Sequence, residues 1–391
     1  MEALSYNAAT MKIACFFATS GHSGVDRLVG HLVPGFVAAG HQVDLLQIRN
    51  HGPYLQDLPA GVDRIELGSA HVDTALLPLV GYLRRARPAV LLCDKYRVNR
   101  VVLLARWLAR VHTRIVVRVG TTVSVDLASR PRVQRWMEML WMRLLYPHAD
   151  AVITPSRGAS LDLARVAGLP EVRVCTVASP LITRDLAEKA AQPADHPWLV
   201  DKDRPVFLGV GELSPRKDFA TLIRAFARVR ADMAARLIIL GDGGQRGNLL
   251  ALARELGVAD DISLPGFTRN PYAFMARADV FALSSRWEGM PVVLIEALAV
   301  GAPVVSTDCP SGPREVLQEG RYGMLVAVGD DTRLAHALAT LLRNPPAREI
   351  LHEAARPYGV AQATRAYLKV MDLAPDSAGV AAVSTGMKHD A

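Results

Sequence analysis

The sequence is poor in the features of secreted, disulfide-bonded and membrane-spanning proteins. Its 391 residues include only four cysteines, Cys15, Cys93, Cys175 and Cys309, none of them in a Cys-x-x-Cys pair. Widely spaced cysteines in apolar stretches are typical of free buried thiols, which argues against a disulfide framework and favours a reducing compartment. The start of the chain has no basic and apolar leader, and no run reaches the ~18–20 apolar residues of a membrane span. We therefore expect a cytoplasmic protein.

Acidic residues are scarce in one part of the chain. The net charge is +7, and residues 84–143 contain 14 basic against three acidic residues. Such a segment attracts phosphate-bearing acceptors, anionic lipid headgroups or nucleic acid, although it can also be a solvated surface without a partner. No nucleic-acid-binding module or pattern of stacking aromatic residues accompanies it. We expect no nucleic acid as a partner.

What the sequence does contain is a repeated alternation of short apolar strands and amphipathic helical stretches. In the first half, the predicted strands are residues 11–19, 41–48, 89–93, 114–119, 151–156 and 172–177. In the second half, they are residues 206–211, 237–243, 280–285, 303–308 and 324–330. Alternation of this kind is typical of parallel sheets covered by helices on both faces. We therefore predict an α/β protein with two doubly wound sheets in tandem.

A linker is predicted at residues 190–205, which combine prolines and charges without periodicity. We expect a first domain over residues 11–195, a second over residues 205–374 and a disordered tail over residues 375–391. A helix around residues 350–373 should close the second half and pack back across the first. Ligands of open α/β sheets bind outside the carboxyl ends of the strands, so the two sheets should face each other across a binding cleft.

The strongest local signal is a strand, a tight loop and a helix within residues 283–308. Glu288 lies in the loop, and the amides of Gly289 and Met290 with the helix end behind them form an anion-binding nest. Glu296 follows eight residues after Glu288. Both carboxylates could accept hydrogen bonds from sugar or ribose hydroxyls. Alternatively, the first is a solvated loop residue and the second is paired within its helix.

The second signal is a pair of cations at the end of the strand in residues 206–219. The strand leads to Gly211, and Arg216 and Lys217 follow just before a helix. Two adjacent cations beside the cleft can bind a diphosphate and stabilise the charge that builds on it as it leaves. The alternative is an exposed basic turn.

These segments, in this order, resemble glycosyltransferase family 4. The resemblance rests on GELSPRK at residues 211–217, GDG at residues 241–243, the Glu288 and Glu296 pair, and residues 309–330. Looser matches at residues 18–29 and 146–156 extend it over nearly the whole chain. The resemblance implies two Rossmann-like domains that face each other across a cleft, the B-type glycosyltransferase fold.

The resemblance also implies residue roles. Arg216 and Lys217 should contact the donor diphosphate. Glu288 should contact the donor sugar and act as the third catalytic residue. Phe267 should lie at the base, Glu296 at the ribose, and Gly24 should allow the first loop to approach the donor. The implied donor-binding residues are Gly24, Gly211, Phe267, Gly289, Met290, Val292 and Glu296.

One region departs from the family pattern. Many members carry a histidine near the reacting sugar after the fourth strand of the first domain, where this chain has residues 118–124, with Gly120 at about that position. Arg118, Thr121 or Thr122 could substitute for it, and this part of the site stays unassigned.

The resemblance implies a retaining transfer by same-face substitution, in which the departing diphosphate takes the proton of the acceptor. On that account neither an enzymic nucleophile nor a metal is needed, and no cluster of His, Cys and Asp stands at ligand spacing. We expect no cofactor and a nucleotide-sugar co-substrate, UDP-linked, with a glycan or lipid-linked glycan acceptor in surface polysaccharide synthesis. The alternatives are a mannosyltransferase that uses GDP-mannose and a non-catalytic nucleotide-sugar-binding protein. A nicotinamide-dependent oxidoreductase is disfavoured by the absence of a G-x-G-x-x-G loop.

The acceptor side offers one further feature. Residues 129–147 mix arginines with tryptophans, methionines and leucines in a predicted amphipathic helix. This helix could lie on an anionic bilayer at the inner face of the cytoplasmic membrane and meet a lipid-linked acceptor. Alternatively, its apolar side is simply core.

Overall fold

The first domain is built on a seven-stranded parallel sheet. A computed structural model describes residues 10–19, 24–53, 55, 58–128 and 130–373; the predicted tail over residues 375–391 lies outside this part of the chain. The strands are β1 (Lys12–Phe16), β2 (Gln42–Gln47), β3 (Val62–Glu66), β4 (Val90–Asp94), β5 (Arg114–Arg118), β6 (Ala151–Thr154) and β7 (Val174–Thr176). Their order is β3-β2-β1-β4-β5-β6-β7. The central strands β4 and β6 are buried along their whole length because helices cover both faces of the sheet.

Helices pack on both faces of this first sheet. They are α1 (Gly24–Ala38), α2 (Leu76–Ala86), α3 (Tyr96–Ala109), α4 (Val123–Ala128), α5 (Arg132–Leu145) and α6 (Arg157–Ala167). The helix α1 shares a core with one face, whereas α2, α3, α5 and α6 share a core with the other. Local signals fix the ends of α6, where Ser156 Oγ accepts the Ala159 amide and Gly168 ends the helix in a left-handed conformation.

The second domain repeats this design with a six-stranded parallel sheet. The strands are β8 (Val206–Val210), β9 (Arg236–Leu240), β10 (Ile262–Gly266), β11 (Val280–Leu283), β12 (Val304–Thr307) and β13 (Met324–Val326), in the order β10-β9-β8-β11-β12-β13. Short helices α7 (Leu186–Ala191) and α8 (Pro197–Val200) precede β8. The helices that follow are α9 (Phe219–Asp232), α10 (Arg246–Glu255), α11 (Pro271–Met275), α12 (Val292–Ala299), α13 (Pro313–Val316), α14 (Asp331–Arg343), α15 (Arg348–Ala355) and α16 (Val360–Val370).

The two tandem α/β sheets confirm the predicted fold class, and two strands that the sequence analysis did not predict complete them. The strand β3 is mostly exposed and carries charged residues at the edge of the first sheet. The strand β10 contains Pro265 at the edge of the second sheet. Edge strands tolerate charges and proline because one side of their backbone has no neighbour, so a search for apolar runs misses them.

Over residues 130–373 the chain crosses between the domains twice, and the two crossings are hydrogen-bonded to each other. The Ile182 amide donates to the Tyr358 carbonyl at 3.0 Å, and the Val360 amide donates to the Ile182 carbonyl at 3.1 Å. After the second crossing, Tyr367 and Leu368 of α16 pack in the core around α1. The single helix predicted around residues 350–373 is two helices, α15 and α16, and the second of them packs back across the first domain as predicted.

The segment on both sides of the expected boundary at residue 195 packs with the second domain. Leu181, Ala194 and Leu199 lie in a core formed with β8, β9, β11 and α12. The reason is that the chain has already left the first sheet after β7, and these apolar side chains are buried against the second sheet. The expected linker at residues 190–205 therefore contains the helix α8 and buried residues.

No helix in the described ranges has the length and apolar character to cross a bilayer. Within those same ranges, no group of three or more His, Cys, Asp and Glu residues is arranged to hold a metal ion.

Candidate active site

The site begins where the loops after β8 and β11 meet. Glu288, buried in the loop between β11 and α12, accepts a hydrogen bond from Lys217 Nζ at 2.6 Å and another from Arg216 Nη1 at 3.0 Å. Ser285 Oγ donates to the same carboxylate at 2.7 Å. Both cations predicted as catalytic therefore contact the predicted carboxylate directly, although Glu288 lies 72 and 71 residues from Arg216 and Lys217 in sequence.

Further contacts hold these two loops together. Ser284 Oγ donates to the Lys217 carbonyl at 2.8 Å, and the Arg286 amide donates to the Arg216 carbonyl at 2.8 Å. Lys217 is buried, whereas about a third of the Arg216 side chain is exposed. A buried ammonium and carboxylate need one another as partners, because either charge alone would be costly in this position.

Gly211 lies between a neighbouring cavity and the group formed by Arg216, Lys217 and Glu288, which we call the cation cluster. A Cβ on Gly211 would lie 2.9 Å from Lys217 Cε, and one on Gly241 would lie 1.9 Å from the Gly211 carbonyl oxygen. At Gly241 the φ of 133° also favours glycine. The glycines thus allow the loops after β8 and β9 to come together without a side chain between them.

A cavity of about 390 Å³ adjoins this junction. Gly211, Phe267 and Glu296, three of the predicted donor-binding residues, line it together with Arg27 and Tyr272. Its size falls within the range of small-molecule sites. Phe267 is 76% exposed at the rim, where the face of its ring could stack on a planar ligand.

Glu296 of α12 is the buried carboxylate of this cavity. Its Oε1 accepts hydrogen bonds from Tyr272 OH at 3.0 Å and from Arg27 Nη1 at 3.0 Å. Burial raises the pKa of the Glu296 carboxyl, and the charge of Arg27 and the Tyr272 hydroxyl oppose that rise. The sequence analysis left open that Glu296 is paired within its own helix. In the structure, both of its hydrogen-bond partners come from other helices, Arg27 from α1 and Tyr272 from α11.

Of the three loop residues predicted to bind the donor, Gly289, Met290 and Val292, one has an amide that is already hydrogen-bonded within the loop. Gly289 faces the first domain, since a Cβ there would lie 3.6 Å from the Gly120 carbonyl oxygen and from Thr121 Cα. Met290 packs against the apolar core that β8, β9, β11 and α12 form in the second domain. The Val292 amide already donates to the Met290 carbonyl at 2.9 Å, so in this conformation it is not directed at a ligand.

The structure narrows the choice in the region that departs from the family pattern. Arg118 is buried and donates hydrogen bonds to Asp94 Oδ2 at 2.5 Å and to Tyr367 OH at 3.0 Å. These contacts hold its side chain in the interior of the first domain. Thr122 is also buried. Thr121 is the candidate that lies beside Gly289 at the cleft, so it is the one positioned near the predicted sugar site.

Sequence reasoning missed Arg27 and Tyr272. Arg27 follows three residues after Gly24, the first residue of α1, and it lies in the segment that resembled the glycine loop of the family. A cation in the first turn of a helix was visible there, but its partner, 269 residues away, was not. Residues 20–23 of that loop lie outside the described residues.

Two family patterns match the two halves of the chain. "Glycosyl transferase 4-like domain" matches residues 23–180, and "Glycosyl transferases group 1" matches residues 192–357. Together they cover every strand of both sheets except β1, and they include Arg216, Lys217, Glu288 and all the residues that line the cavity.

Comparison with known proteins gives the same family. The chain is 34% identical over 253 residues to the N-acetylgalactosamine-N,N'-diacetylbacillosaminyl-diphospho-undecaprenol 4-alpha-N-acetylgalactosaminyltransferase of Campylobacter jejuni, covering 65% of this chain and 67% of the relative. It is 35% identical over 178 residues to the lipopolysaccharide core biosynthesis glycosyltransferase LpsE of Rhizobium meliloti, covering 44% of this chain and 51% of the relative.

A solved structure has the same fold at low sequence identity. The crystal structure of Anabaena Alr3699/HepE in complex with UDP superposes with a TM-score of 0.74 at 18% identity, covering 93% of this chain and 100% of that one. Together with the two parallel sheets and the family matches, this shows that the chain belongs to the B-fold glycosyltransferases of the family 4 type and is a transferase of the hexosyltransferase kind.

Proposed function

We propose that this glycosyltransferase transfers a sugar from a UDP-sugar, with retention of configuration, to a glycan or lipid-linked glycan in surface polysaccharide synthesis. The observation that carries the proposal is the contact of Arg216 and Lys217 with Glu288 beside the cavity that contains Glu296. A nucleoside in the cavity would direct its diphosphate past Gly211 toward the two cations.

The cation cluster suits a leaving group that gains negative charge. In the proposed step the bond between the anomeric carbon and the phosphate oxygen breaks, and a bond to the acceptor oxygen forms on the same face. The acceptor proton passes to the departing diphosphate, so the step requires no basic side chain. Arg216 and Lys217 would stabilise the charge on that diphosphate as it develops. Thr121 and Gly289 would border the sugar, because they face each other across the cleft.

The proposals for the base of the donor nucleotide and for the class of acceptor rest on the relatives as well as on the site. The Campylobacter relative is named for a diphospho-undecaprenol-linked acceptor, and the Rhizobium relative for lipopolysaccharide core biosynthesis. The structural neighbour binds UDP. These names favour a uridine nucleotide and a lipid-linked glycan, with GDP-mannose as the alternative donor.

Peripheral contact with an anionic membrane is the second part of the proposal. On α5, Val133, Trp136 and Leu144 are exposed apolar side chains, so this face of the helix is not core. Arg132 and Arg135 are exposed on the same helix. An apolar helix face flanked by arginines suits the interface of an anionic bilayer. The free cysteines fit a location at the inner face of the cytoplasmic membrane.

A panel of nucleotides tests the donor site. Thermal denaturation of the full chain would be recorded with UDP, GDP, ADP and their common sugar conjugates. A ligand at 100 times its Kd stabilises a protein by about 2.7 kcal/mol. We expect UDP and UDP-sugars to stabilise most, whereas a larger effect of GDP and GDP-mannose would favour the alternative donor. If no nucleoside diphosphate stabilised the chain, the proposal would be wrong.

A further inference from the structure

Arg27 belongs to the first domain but reaches into the cavity of the second. It lies in the first turn of α1, and its Nη1 donates to Glu296 Oε1 of α12 at 3.0 Å. The Arg27 side chain is 53% exposed, whereas that of Glu296 is 3% exposed. A solvated cation therefore extends across the domain boundary to a carboxylate that is itself almost fully enclosed.

The Glu296 carboxylate has a second donor on the same oxygen. Tyr272 OH, from α11 of the second domain, donates to Oε1 at 3.0 Å. Both donors line the cavity with Glu296. One of these contacts stays within the second domain, so only the Arg27 contact depends on how the two domains are placed.

We infer that Arg27 is a positioning residue of the donor site, which holds the Glu296 carboxylate in place for the ribose hydroxyls and makes nucleotide binding depend on contact between the two domains. This inference rests on the proposed function, because it requires a nucleoside diphosphate in the cavity. It adds a contribution of the first domain to a pocket that the second domain otherwise forms.

The charge state of Glu296 gives the inference a physical basis. A carboxylate accepts hydrogen bonds from two hydroxyls, whereas a protonated carboxyl loses part of that capacity. Burial raises the pKa of Glu296, and the positive charge of Arg27 is the first of the effects that lower it. Among the residues that the structure describes, the groups that contact Glu296 are Arg27 from α1 and Tyr272 from α11. Glu212, Asp242 and Arg269 line the same cavity.

Removal of Arg27 should therefore weaken nucleotide binding in a pH-dependent way. The pKa of Glu296 would rise further, so a larger fraction of the carboxyl would be protonated as the pH falls toward that value. The Kd for UDP should increase at lower pH in Arg27→Ala, with a midpoint above that of the unaltered protein. A purely structural loss would shift the Kd by the same factor at every pH.

Calorimetric titration of the full chain with UDP tests the inference. We expect Arg27→Ala to weaken binding by about tenfold, which is the range of a hydrogen bond to a charged group. Arg27→Lys should recover part of the loss because it keeps the charge. Glu296→Gln should also weaken binding, and adding Arg27→Ala to it should have little further effect, since both changes remove one interaction. Arg254→Ala, an exposed arginine of α10, is the control.

The outcomes separate this inference from the proposed function. If the unaltered chain binds neither UDP nor GDP, the proposed function and the inference both fail. If it binds UDP while Arg27→Ala leaves the Kd unchanged, or if the two substitutions have independent effects, only the inference fails. With 2′-deoxy-UDP as the probe, the effect of Arg27→Ala should be smaller, because one ribose hydroxyl is missing.

Discussion

Lys217 Nζ lies 2.6 Å from Glu288 Oε1, in a salt bridge whose two side chains are both buried. The strand β8 ends at Val210, and the glycine that follows allows the lysine to lie against the backbone of its own loop. Arg216 completes the arrangement from the more exposed side, so that one carboxylate faces two cations. A bound diphosphate would bring further negative charge to this same cluster.

Loss of the buried cation should strongly reduce catalysis. Lys217→Ala is expected to lower kcat by a factor of about 10² to 10³, because it removes a charge that would stabilise the leaving diphosphate. An assay of sugar transfer from a UDP-sugar to a lipid-linked acceptor, monitored through the release of UDP, measures kcat. Arg224→Ala on α9, an exposed arginine, provides the control. Activity near that of the unaltered enzyme in Lys217→Ala would contradict the role given to the cluster.

Replacement of Glu288, the counter-charge of Lys217, should destabilise the free protein and increase the stabilisation that bound UDP provides. Glu288→Gln leaves Lys217 buried beside a neutral side chain, and we expect a loss of about 3 kcal/mol in the free energy of unfolding. UDP should stabilise this variant more than the unaltered protein, because its diphosphate replaces the missing negative charge. Urea unfolding with and without UDP measures both effects. Equal stabilisation of the two proteins by UDP would argue against diphosphate binding at this cluster.

The buried Arg118 should act on stability and not on the chemistry. Asp94→Asn removes its charged partner and should destabilise the protein by about 3 kcal/mol. Tyr367→Phe removes only one hydrogen bond between α16 and the first domain and should cost about 1 kcal/mol. Urea unfolding measures both. At a temperature where Tyr367→Phe remains folded, its kcat should equal that of the unaltered enzyme, and a large loss would place Arg118 in the reaction.

The exposed face of α5 should bind anionic membranes. Trp136 is 64% exposed, so Trp136→Glu should leave the fold intact while it places a negative charge on that face. We expect the variant to lose flotation with anionic liposomes at low salt. Val200→Glu serves as the control, because Val200 is 68% exposed on α8, which lies against the second domain. If Trp136→Glu floats as well as the unaltered protein, α5 is not the membrane contact.

The sequence alone was sufficient for the fold class and for the place of residues 216, 217 and 288 at one edge of the second sheet. Apolar strands that are buried on both faces leave continuous runs of Val, Ile and Leu, and these runs identified the central strands of both sheets. The cations at residues 216 and 217 lie in the short loop between a strand end and a helix, so their place at the carboxyl edge of the sheet follows from the chain itself. The carboxylate at residue 288 follows another strand of the same sheet in the same way.

The contacts between the domains were decided only by the tertiary structure. The pairing of Arg27 with Glu296, the packing of Gly289 beside Thr121 and the burial of Arg118 beneath Tyr367 each join residues more than a hundred positions apart. A sequence periodicity reports which face of an element is buried, but not which element of another domain covers it. Those choices depend on how the two sheets are placed, and that placement results from packing over the whole molecule, beyond the reach of any local pattern.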